Sequence, residues 1–143
     1  MFKNIAVVLV AAGLYLGSLI PGIAGGLVAY VDISSQTMTV SSYGQTVYVW
    51  RVSTAREGYH TPTGSYRPTR LNRMWYSKKY DNSPMPHSIF FRGGYAIHGT
   101  GAIKRLGSRA SHGCVRLAPG NAATLYSLVK QVGQKNTRIV ITQ

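Results

Sequence analysis

The chain has 143 residues, room for one domain, and carries 16 Lys and Arg against 3 acids for a formal net charge of +13. Its apolar share of 45% excludes a disordered basic tail. The acids are Asp32, Glu57 and Asp81 and the single cysteine is Cys114, which excludes a paired-carboxylate glycosidase, a carboxylate cage for a hard cation, an internal disulfide and a zinc site with several thiolates.

Ile5 to Ile20 form an uncharged, almost wholly apolar run. Lys3 precedes it, and Gly22 and Ala24 supply small residues after it. Residues 1–24 therefore read as a secretory signal peptide cleaved after Ala24, or as a retained membrane anchor. In both cases residues 27–143 form the working domain, outside the cytoplasm.

Strands are expected at Leu27 to Val31, Met38 to Val40 and Val47 to Val52, the last two joined by a turn at Ser41 to Gln45. Thr61-Pro62-Thr63-Gly64 punctuates the chain. Arg67 to Pro86 shows no clear period and three prolines, and reads as a long loop, a candidate lid or substrate flap. Its Trp75, Tyr76 and Tyr80 are suited to stacking on a sugar or packing a lid. Further strands are expected at Ser88 to Phe91, Tyr95 to His98, Val115 to Leu117 and Arg138 to Ile141. One helix is expected from Pro119, with Ala122, Leu125, Tyr126, Leu128, Val129 and Val132 at helical spacing and Gly133 as its cap. The reading is a mainly β domain with one main α-helix.

The chemistry is concentrated in Ile97-His98-Gly99-Thr100 and Ser111-His112-Gly113-Cys114-Val115-Arg116-Leu117. In an extended chain His112, Cys114 and Arg116 share one face. A thiol becomes a nucleophile as the thiolate, so a nearby base or cation that lowers its pKa is the feature to look for. Gly113 and Cys114 amides offer an oxyanion hole, and a helix starting at Pro119 offers a positive dipole end. A lone cysteine is more often a buried filler; two His-Gly pairs and Arg116 favour a reactive thiol here. His98, His112 and Cys114 also make an acceptable zinc set, although no carboxylate stands by to orient the ligands. His60 and His87 read as surface groups. The spread of Lys and Arg, without one basic run, argues against a nucleic-acid partner and suits an anionic wall.

These two segments resemble the active-site signature of the L,D-transpeptidases, the YkuD-type catalytic domain. The resemblance extends to Val31 to Met38, Val52 to Ala55, Thr61 to Tyr66, Pro84 to Pro86 and Ile89 to Phe91. It implies a single-domain β-sandwich or barrel-like catalytic fold, no cofactor and no metal, and an enzyme in the periplasm or cell envelope acting on peptidoglycan stem peptides. Cys114 would be the nucleophile, displacing the terminal D-Ala to form a thioester. His98 would be the base and the Gly99 carbonyl would orient its ring. His112 with the Gly113 and Cys114 amides would shape the oxyanion site. Arg116, Thr100 and Ser111 would form the substrate side, Ser111 chiefly as structural support. The acceptor would be an amine, on a second stem or on an attached envelope protein. An L,D-carboxypeptidase passing the acyl group to water, and a non-catalytic cationic wall-binding module, are the alternatives. His87 and Asn121 depart from the family pattern, which expects an aromatic at the first and an acid at the second.

Overall fold

The computed structural model describes residues 26–143. The expected leader over residues 1–24 lies outside them. The described residues form two sheets and one long helix. The first sheet holds β1 (Leu27–Asp32), β2 (Thr37–Ser42), β3 (Gln45–Arg51), β4 (Gly64–Tyr66) and β9 (Thr137–Thr142), in the order β3-β2-β1-β9-β4. The second holds β5 (Arg70–Ser77), β6 (Ser83–Arg92), β7 (Tyr95–Gly99) and β8 (Val115–Leu117), in that order. The helix α1 runs Pro119–Val132.

Alternation builds the first sheet. Leu27, Ala29 and Val31 of β1 and Met38 and Val40 of β2 face one way and are buried. The turn between β2 and β3 has Tyr43 at φ 49° and Gly44 at φ 81°. Two positive φ values in a two-residue connection match the twist of the flanking strands. Helix α1 lays Ala122, Leu125 and Val129 on the same core, with Ile89, Phe91, Ile97, Val115 and Leu117 of the second sheet.

The helix starts at Pro119, as expected. Ala118 stands at the N-cap with no side-chain cap bond, so Asn121 does not act as a capping replacement for an acid. Pro119 at the first position supplies the preset φ instead.

Arg67 to Pro86, expected as a loop, is mostly a β-hairpin made of β5 and the first part of β6. Pro84 and Pro86 face Tyr76 and Met74 across it. β7 pairs with β6 only at Ile89, Phe90 and Arg92, so the proline half of β6 has a neighbour on one side alone. A missing N–H is tolerated on such an edge. At His87 the backbone takes φ 52°, and the Arg73–His87 pair is skipped in the ladder. This left-handed residue resets the alternation. Met85 and Phe90, five positions apart, then join one small cluster with Ala96, Trp75 and Cys114.

Candidate active site

His98 and Arg116 are direct partners in the parallel pairing of β7 with β8. Cys114 immediately precedes β8. The strand pairing therefore brings the two sequence segments together without help from the intervening loop. His98, Thr100, Ser111, His112, Cys114 and Arg116 all line one cleft of about 860 Å³. The β5–β6 hairpin forms its other wall through Trp75, Ser77, Lys78, Lys79 and Tyr80.

His98 is 6% exposed, and its Nδ1 lies 2.7 Å from the Gly99 carbonyl oxygen. A carbonyl only accepts, so Nδ1 carries the hydrogen and Nε2 keeps its lone pair. Burial lowers the His98 pKa to about 4, with a further push from the Arg116 charge and a partial offset from the Gly99 bond. The ring is neutral at physiological pH, as a general base must be. Space at Gly99 is tight: a Cβ would stand 3.1 Å from Pro86 Cγ and 3.3 Å from both Ala122 and Pro119. The start of α1 thus abuts Gly99. None of its residues lines the cleft.

Burial pushes the Cys114 thiol up from its ordinary value, against the pull of the Ala96 backbone and of Arg116. The expectation that neighbours lower its pKa is therefore corrected, because desolvation outweighs one half-buried guanidinium. Sγ has a long contact of 3.8 Å to the Gly94 carbonyl. Thiol and imidazole thus both rest neutral.

The loop that carries Cys114 is braced from both sides. Ser111, fully buried, donates to the Cys114 carbonyl at 2.6 Å and accepts the Gly113 amide at 3.0 Å. Its hydroxyl both donates to and accepts from the loop, so Ser111 braces the site. The Gly113 amide is likewise engaged, which removes it from the expected oxyanion hole and leaves the Cys114 amide. Gly113 itself has φ 134°, and a Cβ there would sit 2.5 Å from Tyr95 and 2.8 Å from the His60 carbonyl. Thr61 Oγ1 donates to the Gly113 carbonyl at 2.8 Å and accepts the Ala55 amide at 3.0 Å.

A second layer of bracing comes from blocks that carry the resemblance but to whose residues the sequence reading gives no role. Arg116 and Ser53 exchange backbone bonds, and Thr54 O accepts the Ser111 amide at 2.9 Å. Thr54 is in turn held by buried Gln36, whose Oε1 accepts its amide at 2.9 Å and whose Nε2 donates to its hydroxyl at 2.6 Å. The available signal was a string of small polar residues, Ser53, Thr54 and Thr61, beside apolar Val52.

His112 lies between two tyrosines, with centroids 4.7 Å from Tyr59 and 4.1 Å from Tyr80, the latter stacked at 15°. Desolvation, then the charges of Arg56, Arg116 and Lys79, lower its pKa. Thr100 lines the cleft, but its Oγ1 accepts the Ala102 amide at 3.1 Å. Arg116 Nη1 reaches the Ala110 carbonyl at 3.4 Å. No group of three His, Cys, Asp or Glu among the described residues converges as a metal site. His98, His112 and Cys114 therefore do not come together there as a zinc set. His60 is exposed at the cleft edge. His87 packs edge-on against Tyr126 of α1 at 5.3 Å and takes no part in the cleft wall. Trp75 packs on Phe90 at 5.8 Å, whereas Tyr76 is 53% exposed on the far side of its strand.

A mainly β fold with a thiol, an oriented imidazole and a backbone donor in one cleft defines a candidate cysteine acyltransferase. The sequence matches the YkuD L,D-transpeptidase catalytic domain over residues 27–141, and the chain belongs to that family. Among solved structures it is similar to an L,D-transpeptidase from Mycobacterium smegmatis, with TM-score 0.75, 21% identity, 83% of this chain covered and 59% of that one. An L,D-transpeptidase from Stackebrandtia nassauensis gives TM-score 0.73 and 26% identity, covering 82% and 56%. L,D-transpeptidase 3 from Mycobacterium tuberculosis, in complex with a faropenem-derived adduct, gives TM-score 0.70 and 23% identity, covering 83% and 61%. The chain thus spans less than two thirds of the length of these structures. The comparison with curated proteins finds no match.

Proposed function

We propose that the protein is an exported peptidoglycan L,D-transpeptidase of the periplasm or cell envelope, with residues 1–24 as its leader and residues 27–143 as the catalytic domain. The observation that carries this reading is the presence in one cleft of Cys114 and of a neutral His98 whose Nδ1–H is tied to the Gly99 carbonyl. His98 Nε2 takes the thiol proton as Sγ attacks the carbonyl before the terminal D-Ala of a stem peptide. The oxyanion is held by the Cys114 amide, with His112 beside it. Collapse expels D-Ala, whose amine takes the proton from His98, and leaves a thioester on Cys114. An amine acceptor then attacks the thioester, His98 receives its proton, and the Cys114 thiol is regenerated. Neutral resting groups suit this course, because charge separates only when the substrate carbonyl is in place to receive it.

A carbapenem, whose strained lactam mimics the scissile bond, tests the assignment. Incubation of the protein is expected to add the mass of one inhibitor at Cys114. Cys114→Ser is expected to take up none and to lose turnover while keeping its circular dichroism, since a hydroxyl is far less acidic than a thiol of free pKa ~8.5. Acylation at another residue, or turnover retained by Cys114→Ser, overturns the assignment. Added D-amino acid or diamino acid as acceptor, compared with water alone, separates transfer from the carboxypeptidase reaction.

A further inference from the structure

We propose that Arg70 is a specificity residue that reads a carboxylate within the donor chain, so that the cleft takes donors with free internal carboxyl groups and turns away their amides. This rests on the reading of Cys114 as acylated by a stem peptide and adds the chemical form of that peptide.

The charged side chains lining the cleft are all cations: Arg70, Lys78, Lys79 and Arg116. None of the three acids of the chain lines it. A cleft walled by one sign of charge concentrates ligands of the other. Within this set Arg70 and Arg116 stand differently. Arg116 bears on Cys114, His98 and His112 alike, and belongs to the reacting centre. Arg70 lies one aromatic ring away from it. Its guanidinium carbon is 4.0 Å from the centroid of Phe90 and 4.6 Å from that of Trp75. Phe90 and Trp75 pack in the same small cluster as Cys114.

Contact with two rings that meet edge to face at 86° restrains the guanidinium without using its N–H groups. None of those donors has an acceptor among the described residues, and the side chain is exposed. A flat fork, held in place and with unspent donors, matches a carboxylate in two parallel hydrogen bonds. A primary amide fits badly. It offers one acceptor oxygen, sets its own N–H groups against the donors, and brings no charge. The terminal carboxylate of the leaving D-Ala must lie beside the reacting carbonyl, next to Arg116. A group reaching Arg70 lies further along the donor.

The test uses two synthetic stem tetrapeptides ending in D-Ala, identical except that the internal carboxyl groups are free in one and primary amides in the other. D-Ala release and the Cys114 acyl-enzyme are followed with the full chain. The acid donor is expected to show a kcat/KM roughly ten-fold or more above the amide donor, in line with the worth of a charge-assisted hydrogen bond. The difference is expected in KM with kcat little changed, since Arg70 does not touch the reacting carbonyl. Arg70→Gln is expected to lower kcat/KM for the acid donor alone and so erase the preference. Arg70→Lys, which keeps the charge and loses the fork, is expected to retain part of it. Equal use of both donors by the unmodified protein overturns the proposal. So does an equal loss on both donors in Arg70→Gln, which would assign Arg70 to packing Trp75 and Phe90. Should Arg70→Gln fail to fold, the two donors on the unmodified protein and on Arg70→Lys decide. Failure of both donors to acylate Cys114 refutes the transpeptidase reading itself, and the proposal falls with it.

Discussion

An imidazole stripped of water holds a proton poorly, and His98 carries that cost into the stability of the fold. Its pKa of about 4 lies below the ordinary value of 6.5, so between these pH values the unfolded chain binds a proton that the native protein refuses. The native state is fully favoured above pH ~6.5 and loses stability as the pH falls through that window toward 4. Urea unfolding at pH 7 and pH 5 should show a loss of about 2 kcal/mol from this group. The loss should be absent from the difference between the same two pH values in His98→Gln. An identical pH response in the two proteins would mean that His98 titrates normally. The same depressed pKa keeps Nε2 available in mild acid. Carbapenem acylation is therefore expected to hold its rate from pH 7 down to pH 5, whereas a decline centred near 6.5 would point to an ordinary imidazole. Cys114 and Arg116 are legible in the sequence because two-residue spacing in an extended chain places them on a shared face, and His98 through the resemblance of its His-Gly-Thr segment. The direction of the thiol shift is not, since it depends on how much water the assembled fold removes. The engagement of the Gly113 amide is hidden for a similar reason: it hangs on one Ser111 rotamer.

At the scale of elements, the β5–β6 hairpin is where sequence and structure part most. Pro84 and Pro86 argue against a strand by local rule, and only the short reach of β7 makes them acceptable. The long apolar-periodic helix and the flanking strands follow local rules and are placed within a few residues of their observed ends. The hairpin also explains why Tyr80 and His112, distant in sequence, stack at 4.1 Å. That stack is one source of the desolvation that lowers the His112 pKa. Tyr80→Ala should raise the His112 pKa toward its ordinary value, followed by its ring-proton titration in NMR. It should cost no more than about 1 kcal/mol of global stability, the worth of one partly exposed aromatic pair. An unmoved titration would show that the hairpin tip does not rest on the ring in solution.

For the molecule as a whole, sixteen cationic side chains face three acids, so most cannot find an internal partner. Such a surface attracts anionic polymers over a distance set by salt, ~8 Å near physiological ionic strength. Sedimentation with isolated cell-wall material should fall as sodium chloride is raised from 50 mM to 500 mM (both about), equally for the unmodified protein and for Cys114→Ser. Binding indifferent to salt would show that contacts other than charge hold the protein there. The sheet topology bears on how this molecule comes into being. β1 lies between β2 and β9, and its parallel partnership with β9 joins Leu27 to Thr137 and Asp32 to Thr142. β1 thus waits for β9, and the central pairing of the larger sheet closes over nearly the whole described chain. Contacts of such long sequence separation form slowly, because loop closure must precede any gain from them. Until β9 is in reach, β1 has only its β2 hairpin partner, and the domain stays open to whatever handles unfolded chains.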